Sequence, residues 1–387
     1  MNSRERFHQV MNFEPGKSLK WEFGYWAGAM RRWYNEGLEA KDGIPEDLAD
    51  GAGVHGGAAG WRPGRPLGSD VNSICQLDDG LQRMKVNNFL APLFEEEILE
   101  DQGSWIIVRN ELGMTEKRSK TRSSLSSYID GPVKNRDDWE KLKEERLQPT
   151  LEHRLPDNWD DLLVEYKNRS FPLALGGGQG FFGSPRFLLG ELQVLTIFYD
   201  QPDLIKDIVS DLTDFWIALY DQILDLVDVD LIMIWEDICY NSGPLISPAT
   251  FEEYMLPGYK KLTAFLKERG VNNIIVDTDG DVWKLLPLFV EGGVTGMYPF
   301  EVKAGMDVVE VRKAYPSLNI MGGFSKSALI AGKEQTDLEL DQKIPWMLEQ
   351  GGYIPYMDHL VPPDVSWENF YYYRTKLNNM IDEADLD

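Results

Sequence analysis

Residues 274–301 read IIVDTDGDVWKLLPLFVEGGVTGMYPFE. Two short apolar runs, at 274–276 and 294–298, flank a stretch of helix length, and each run ends in polar or acidic residues. The same rhythm recurs outward on both sides: FPLAL at 171–175, LIMIW at 231–235, 318–321 and 353–357 are further apolar runs of strand length. Between them, Leu204, Ile205, Ile208, Val209, Leu212, Phe215, Trp216 and Leu219 recur at the spacing of one helix face. Ser247 and Pro248 form a helix start, and Gly270 suits the stop of the helix that follows. Strands that are apolar throughout and alternate with helices predict a parallel sheet covered by those helices. The number of units points to a (β/α)8 TIM-type barrel with an N-terminal cap of insertions; an open doubly wound sheet is the competing architecture.

The first 150 residues are less regular. Segment 37–70 is rich in Gly, Pro and Asp and reads as loop, while WIIVR at 105–109 and MTEKR at 114–118, joined by NELG, read as a hairpin. The expectation is a single domain over 1–387, in which 1–150 supply the first strand (KWEFGY, 20–25) plus the cap and 151–387 the main barrel.

Composition excludes several classes. With 43% hydrophobic and 12% aromatic residues the chain has ample material for a large core. It contains no apolar run of membrane-spanning length and no apolar segment of signal-peptide type near its start. Two cysteines, Cys75 and Cys239, argue against a disulfide framework and for a reducing cytoplasm. Lys and Arg number 39 against 64 Asp and Glu, a net charge of −25 that repels nucleic acid and anionic membranes. A homodimer is compatible with the sequence.

In a barrel, catalytic groups follow the carboxyl ends of the strands. Those positions carry Glu236, Asp237 and Cys239; Asp277, Thr278 and Asp279; Glu301; Gly322 and Gly323; and Asp358 with His359. So many acids converging on one mouth call for a cation or for retained protons. Asp277 and Asp279, two residues apart on a strand, point the same way. The plain alternative makes them a helix cap and a turn acid, in competition with Asp281. His359 alone would be an ordinary loop histidine, but its place at the mouth favours a proton carrier or a ligand. Gly178, Gly180 and Gly183 match GxGxxG, yet Asp200 lies in a helix connection instead of at a second strand's end. A tight loop allowing close backbone approach is therefore preferred to dinucleotide binding. The aromatic crowd WEFGYWAGAMRRW at 21–33 supplies core residues and candidate walls of a substrate pocket, namely Trp21, Tyr25 and Trp26, with Tyr298 opposite.

At these residues the chain resembles the uroporphyrinogen decarboxylase-like superfamily. The resemblance is carried by GGGQGFFGSP (176–185), IWEDICYNSGPLISP (234–248), 276–301, NIMGGFSK (319–326) and MDHLVPPDVSWENFYYYR (357–374), with a weaker likeness in SRERFHQVMNFEP (3–15). It implies a barrel enzyme of one of two kinds: a cofactor-free decarboxylase or a zinc-dependent methyltransferase working with a corrinoid protein. The decarboxylase type carries an early RQAGRY segment where this chain has YWAGAMRRW, although HLVPPD resembles its late HGxxPD histidine. The coenzyme-thiol methyltransferases carry HxC and a later cysteine; here those positions fall on Asp277-Thr278-Asp279 and His359.

Replacing thiolates by carboxylate and imidazole makes a bound metal more electrophilic and suits ether cleavage. The resemblance thus implies a methyltransferase that moves a methyl group from a small methoxylated, aromatic substrate to the Co(I) corrinoid (cobalamin type) of a partner protein. It implies zinc on Glu236, Asp277, Asp279 and His359, with catalytic roles for His359, Asp279 and Glu301 and with Cys239 as an alternative ligand. A decarboxylase and a non-catalytic ligand-binding barrel are the competing readings.

Overall fold

The computed structural model describes residues 1–60, 66–120 and 126–386. Seven parallel strands form its main sheet: β1 (Gln82–Arg83), β2 (Leu173–Gly176), β3 (Leu231–Trp235), β4 (Ile274–Thr278), β5 (Gly296–Pro299), β6 (Asn319–Met321) and β7 (Tyr353–Ile354). They neighbour one another in chain order from β1 to β7, without the reversal of strand order that marks a doubly wound sheet. That alternative is thereby set aside.

The apolar strands divide their side chains between two cores. From β3, Leu231 and Met233 enter an inner cluster with Ala174, Ile275, Tyr298, Met321 and Ile354. Ile232 and Ile234 face the outer layer shared with the helices. This two-sided burial is why the strand is hydrophobic throughout instead of alternating with polar residues. Leu19 and Trp21 join the inner cluster from one side of the seam and Ala58 and Leu81 from the other. Phe7, Val10 and Met11 of the helix Ser3–Met11 also belong to it.

The seam between β7 and β1 is closed by chain with little ladder of its own. Ser18 Oγ donates to Tyr353 O at 2.9 Å, Met357 N donates to Glu22 Oε1 at 2.9 Å, and Ala58 N donates to Glu22 O at 3.0 Å. The strand expected at 20–25 is shorter and shifted: only Gly24–Trp26 forms ladder pairs, and they run antiparallel to Gly53–His55. Near the N-terminal ends of the strands, buried Asp230 ties the first helix to the barrel. It accepts from Arg4 at 2.8 Å, from Arg169 at 2.9 and 3.0 Å and from Leu173 N at 2.9 Å, and lies 2.8 Å from His8 Nε2.

The expected hairpin is present, with Trp105–Arg109 antiparallel to Thr115–Ser119, and two more strands complete a four-stranded sheet. One barrel strand, β1, lies inside the region read as cap. Its two residues are polar and carry no apolar signal. Residues 61–65 of the long loop lie outside the described residues. Ser247 Oγ accepts from Thr250 N at 3.0 Å as the expected cap. The helix it starts divides into Pro248–Tyr254 and Leu256–Glu268, because Pro257 has no N–H to continue the ladder. Among the described residues no helix is long and apolar enough to cross a membrane.

Candidate active site

The strand-end acids do assemble at the C-terminal mouth, but the protein neutralises most of them itself. Arg186 donates to Asp237 at 2.8 Å, Lys326 Nζ lies 3.4 Å from Glu301, and Tyr298 Oη donates to Asp277 Oδ2 at 3.0 Å. Asp358 is buried, accepts from Val302 N and Lys326 N, and is pushed up to about 6 mainly by its burial. Sequence reasoning missed Arg186 and Lys326. Both follow strand-end loops, in GSPRF and GGFSK, and a basic residue there was the available signal.

Asp279 is paired differently. Its Oδ2 lies 3.5 Å from His359 Nε2, and these side chains keep 36% and 27% of their surface exposed. Burial, reinforced by the charges of Asp277, Asp237 and Glu301, holds the Asp279 carboxyl well above the ordinary carboxylate range. Burial, with help from Lys326, pushes His359 down to about 4. Both shifts favour the uncharged forms, a carboxylic acid beside a neutral imidazole. Phe23 stacks on the imidazole with centroids 5.4 Å apart, and Trp26 lies 6.1 Å from it. The backbone on either side of this pair is bent unusually, since Asp237 and Phe300 both have positive φ, of 47° and 59°. Strained non-glycine residues of this kind concentrate at functional sites.

Four expected site residues lie elsewhere or do something else. Trp21 is fully buried inside the barrel, stacked on Phe7, with Nε1 donating to Asp79 O. Tyr25 is fully buried against Trp33 and Phe370. Neither can wall a substrate pocket, and Phe23 takes the position expected of them. Tyr298 is almost fully buried and reaches the site through its hydroxyl, by way of Asp277.

Glu236 is the fourth. It accepts from the backbone N–H of Phe181 (2.8 Å), Phe182 (2.6 Å) and Gly183 (3.0 Å), and from the Tyr259 hydroxyl. Its carboxylate occupies the N–H cradle that a dinucleotide's pyrophosphate would need, which accounts for the glycine pattern without a cofactor. A Cβ at Gly180 or Gly183 would lie 2.1 or 2.4 Å from Trp235 O, so both glycines serve the close approach of loop to strand.

The zinc cage expected on Glu236, Asp277, Asp279 and His359 is accordingly not formed. Both Glu236 oxygens are engaged, and among the described residues no three His, Cys, Asp or Glu side chains are grouped so as to hold a metal. Cys239 is buried, and that burial pushes its thiol up to about 12.

The family comparison and one structural comparison agree with this architecture. A family model described as uroporphyrinogen decarboxylase (URO-D) matches residues 123–375. A methyltransferase from Methanosarcina mazei shares the fold at TM-score 0.59 and 15% identity, covering 99% of this chain and 99% of that one. A candidate vitamin-B12 independent methionine synthase from Listeria monocytogenes gives TM-score 0.34 at 10% identity, over 57% of this chain and 69% of that one. No curated protein matches the sequence.

Proposed function

The chain belongs to the uroporphyrinogen decarboxylase (URO-D) family, and on that premise we propose that it is a methyltransferase acting on a methoxylated aromatic substrate, with the Co(I) corrinoid of a partner protein as methyl acceptor. The observation that carries this reading is the Asp279 carboxyl beside His359, beneath Phe23 and Trp26. An aryl methyl ether parts with its methyl group only if its oxygen is stabilised as it takes up the bonding electrons. A carboxyl whose protonated form is favoured is suited to that task. The carbon–oxygen bond breaks with its electron pair left on oxygen, and Asp279 gives that oxygen its proton. The methyl carbon bonds to Co(I), whose own electron pair forms the new bond. The products are the phenol, the methylated corrinoid and an Asp279 carboxylate, which regains its proton from solvent.

His359 positions the acid without competing for its proton, because the imidazole is pushed far below neutrality. The aromatic faces of Phe23 and Trp26 offer an apolar wall to a ring. The early RQAGRY segment of the decarboxylase type is replaced here by YWAGAMRRW, which weighs against the decarboxylase reading. The name of the Methanosarcina neighbour points the same way.

The test is a pair of assays on one preparation. With a reduced corrinoid protein and a panel of methoxylated aromatics, methylated corrinoid and free phenol should appear in equal amounts. Carbon dioxide from uroporphyrinogen together with an unchanged corrinoid spectrum would establish the decarboxylase instead, and silence in both assays would favour a binding protein.

A further inference from the structure

The stack of Phe23 on His359 is made across the seam, between two segments that share little backbone ladder. Segments 18–26 and 353–361 run parallel and are tied at three levels. At one end Ser18 Oγ donates to Tyr353 O at 2.9 Å. At the other, Val361 N donates to Gly24 O at 2.9 Å and Trp26 N to Val361 O at 3.1 Å. Between them the tie is a side chain. Glu22 Oε1 accepts from Met357 N at 2.9 Å and from Phe23 N at 3.0 Å. Phe23 and His359 fall between this level and the Gly24–Val361 level. Each segment is also held on its outer side, Phe23 O by Gly56 N and Asp358 N by Phe324 O. What Glu22 Oε1 adds is the spacing between the two segments.

Glu22 is fully buried, an expensive place for a carboxyl, and that burial raises it above its ordinary range. Its charged partner is the equally buried Arg374 of the helix Trp367–Leu386, whose Nη1 lies 3.6 Å from Oε2. That separation is too long for a hydrogen bond, and Oε2 accepts none. Arg374 directs its donors elsewhere, to Trp21 O at 3.1 Å and to Asn378 Oδ1 at 2.6 Å. A buried ion pair without good geometry adds little stability, and apolar side chains of like volume would serve the core as well. What they would lack is the acceptor shared by Met357 N and Phe23 N.

We propose that Glu22 is a positioning residue of the active site, whose Oε1 sets the separation at which the Phe23 ring covers His359. It makes no hydrogen bond to Asp279 or His359 and acts through the backbone of the two segments that carry the stacked rings. The catalytic value of the stack rests on the methyl-transfer reading, whereas the contact itself does not. Either protonation state of the carboxyl leaves Oε1 able to accept.

The test is NMR of the full chain carrying isotopically labelled histidine, whose four histidines give few enough ring signals to follow individually. The signal of His359 is assigned by its loss in His359→Gln and read at a pH where histidine is neutral. Its displacement between wild type and Phe23→Leu measures the stack. Glu22→Leu should lose more than half of that displacement. Glu22→Gln keeps Oε1, and Arg374→Met keeps the acceptor without the ion pair, so both should retain more than half. Should Glu22→Leu fail to fold because it strands Arg374, the double variant Glu22→Leu/Arg374→Met removes both buried charges and should give the same loss. A displacement that survives in the leucine variant, or that is lost as fully in Glu22→Gln or Arg374→Met, would overturn the proposal, as would the absence of any displacement in Phe23→Leu. No substrate or corrinoid enters this measurement. A chain that shows the expected pattern but transfers no methyl group would sink the proposed reaction alone, and methyl transfer with the wrong pattern would sink the role of Glu22 alone.

Discussion

Asp279 Oδ2 and His359 Nε2 face each other across 3.5 Å at the ends of two different chain segments, and Phe23 covers the imidazole face. Burial is the largest influence on each residue, ahead of the charges of Asp277, Asp237, Glu301 and Lys326. Burial raises the Asp279 carboxyl and lowers the His359 imidazole, so it favours the neutral form of each.

Asp279→Asn should lower kcat by about 10²–10⁴-fold, the usual worth of a positioned acid, with little change in substrate affinity. In the wild type kcat should fall on the alkaline side, as Asp279 loses its proton at a pH raised above the carboxylate norm. His359, pushed down to about 4, adds no ionisation near neutrality. A steady-state pH profile that rises toward alkaline pH would contradict the assignment.

Glu236→Gln should destabilise the fold by about 2 kcal/mol, because an amide N–H₂ then faces backbone N–H groups that lose an acceptor. Its metal content should equal that of the wild type. Denaturant titration and elemental analysis of both proteins check this, and a selective loss of metal would return Glu236 to a ligand role.

Methyl transfer should survive dialysis against a strong chelator. The reason is the absence of any three grouped ligand side chains among the described residues, together with the engaged oxygens of Glu236. Activity lost on chelation and restored by one equivalent of zinc would require the carboxylates to regroup around a metal.

Asp230→Asn should cost about 3–5 kcal/mol at neutral pH, since it strands the buried Arg169 and removes the acceptor of Arg4. Asp230 is held below its ordinary range despite its burial, by hydrogen bonds from His8, Arg4 and Leu173 N and the charge of Arg169. A depressed carboxyl stabilises the fold above its unfolded pKa and loses that contribution as pH falls through the folded value. The gap between variant and wild type, measured by thermal melting, should therefore narrow below about pH 4. A gap independent of pH would mean that the charge of Asp230 is not what matters.

Trp21→Ala should lower stability by about 3–5 kcal/mol through the cavity it leaves in the barrel interior, where Trp21 stacks on Phe7. Phe23→Ala should instead leave the melting midpoint nearly unchanged and raise KM severalfold. A reversal of these two phenotypes would exchange the wall residue and the core residue.

The division between Trp21 and Phe23 also marks what could be read from the chain alone. Local periodicity shows that 231–235 and 274–276 are strands buried on both faces, that a helix face runs from Leu204 to Leu219, and that acids and His359 follow the strands. Those are short-range properties, since each depends on the spacing of neighbours along one element. Which aromatic of 21–26 faces the mouth depends on how that segment closes the seam against 353–357 and 56–58, contacts with partners far away in sequence. β1, two polar residues long, is a strand only because Gln82 and Arg83 pair with Leu173 and Ala174. The same applies to charge. The sequence places Glu236 beside the other acids, but only the tertiary structure turns it into the N–H groups of residues 181–183 and brings Arg186 and Lys326 to its neighbours. A carboxylate goes wherever donors lie within about 3 Å, and loops that are remote in sequence supply those donors.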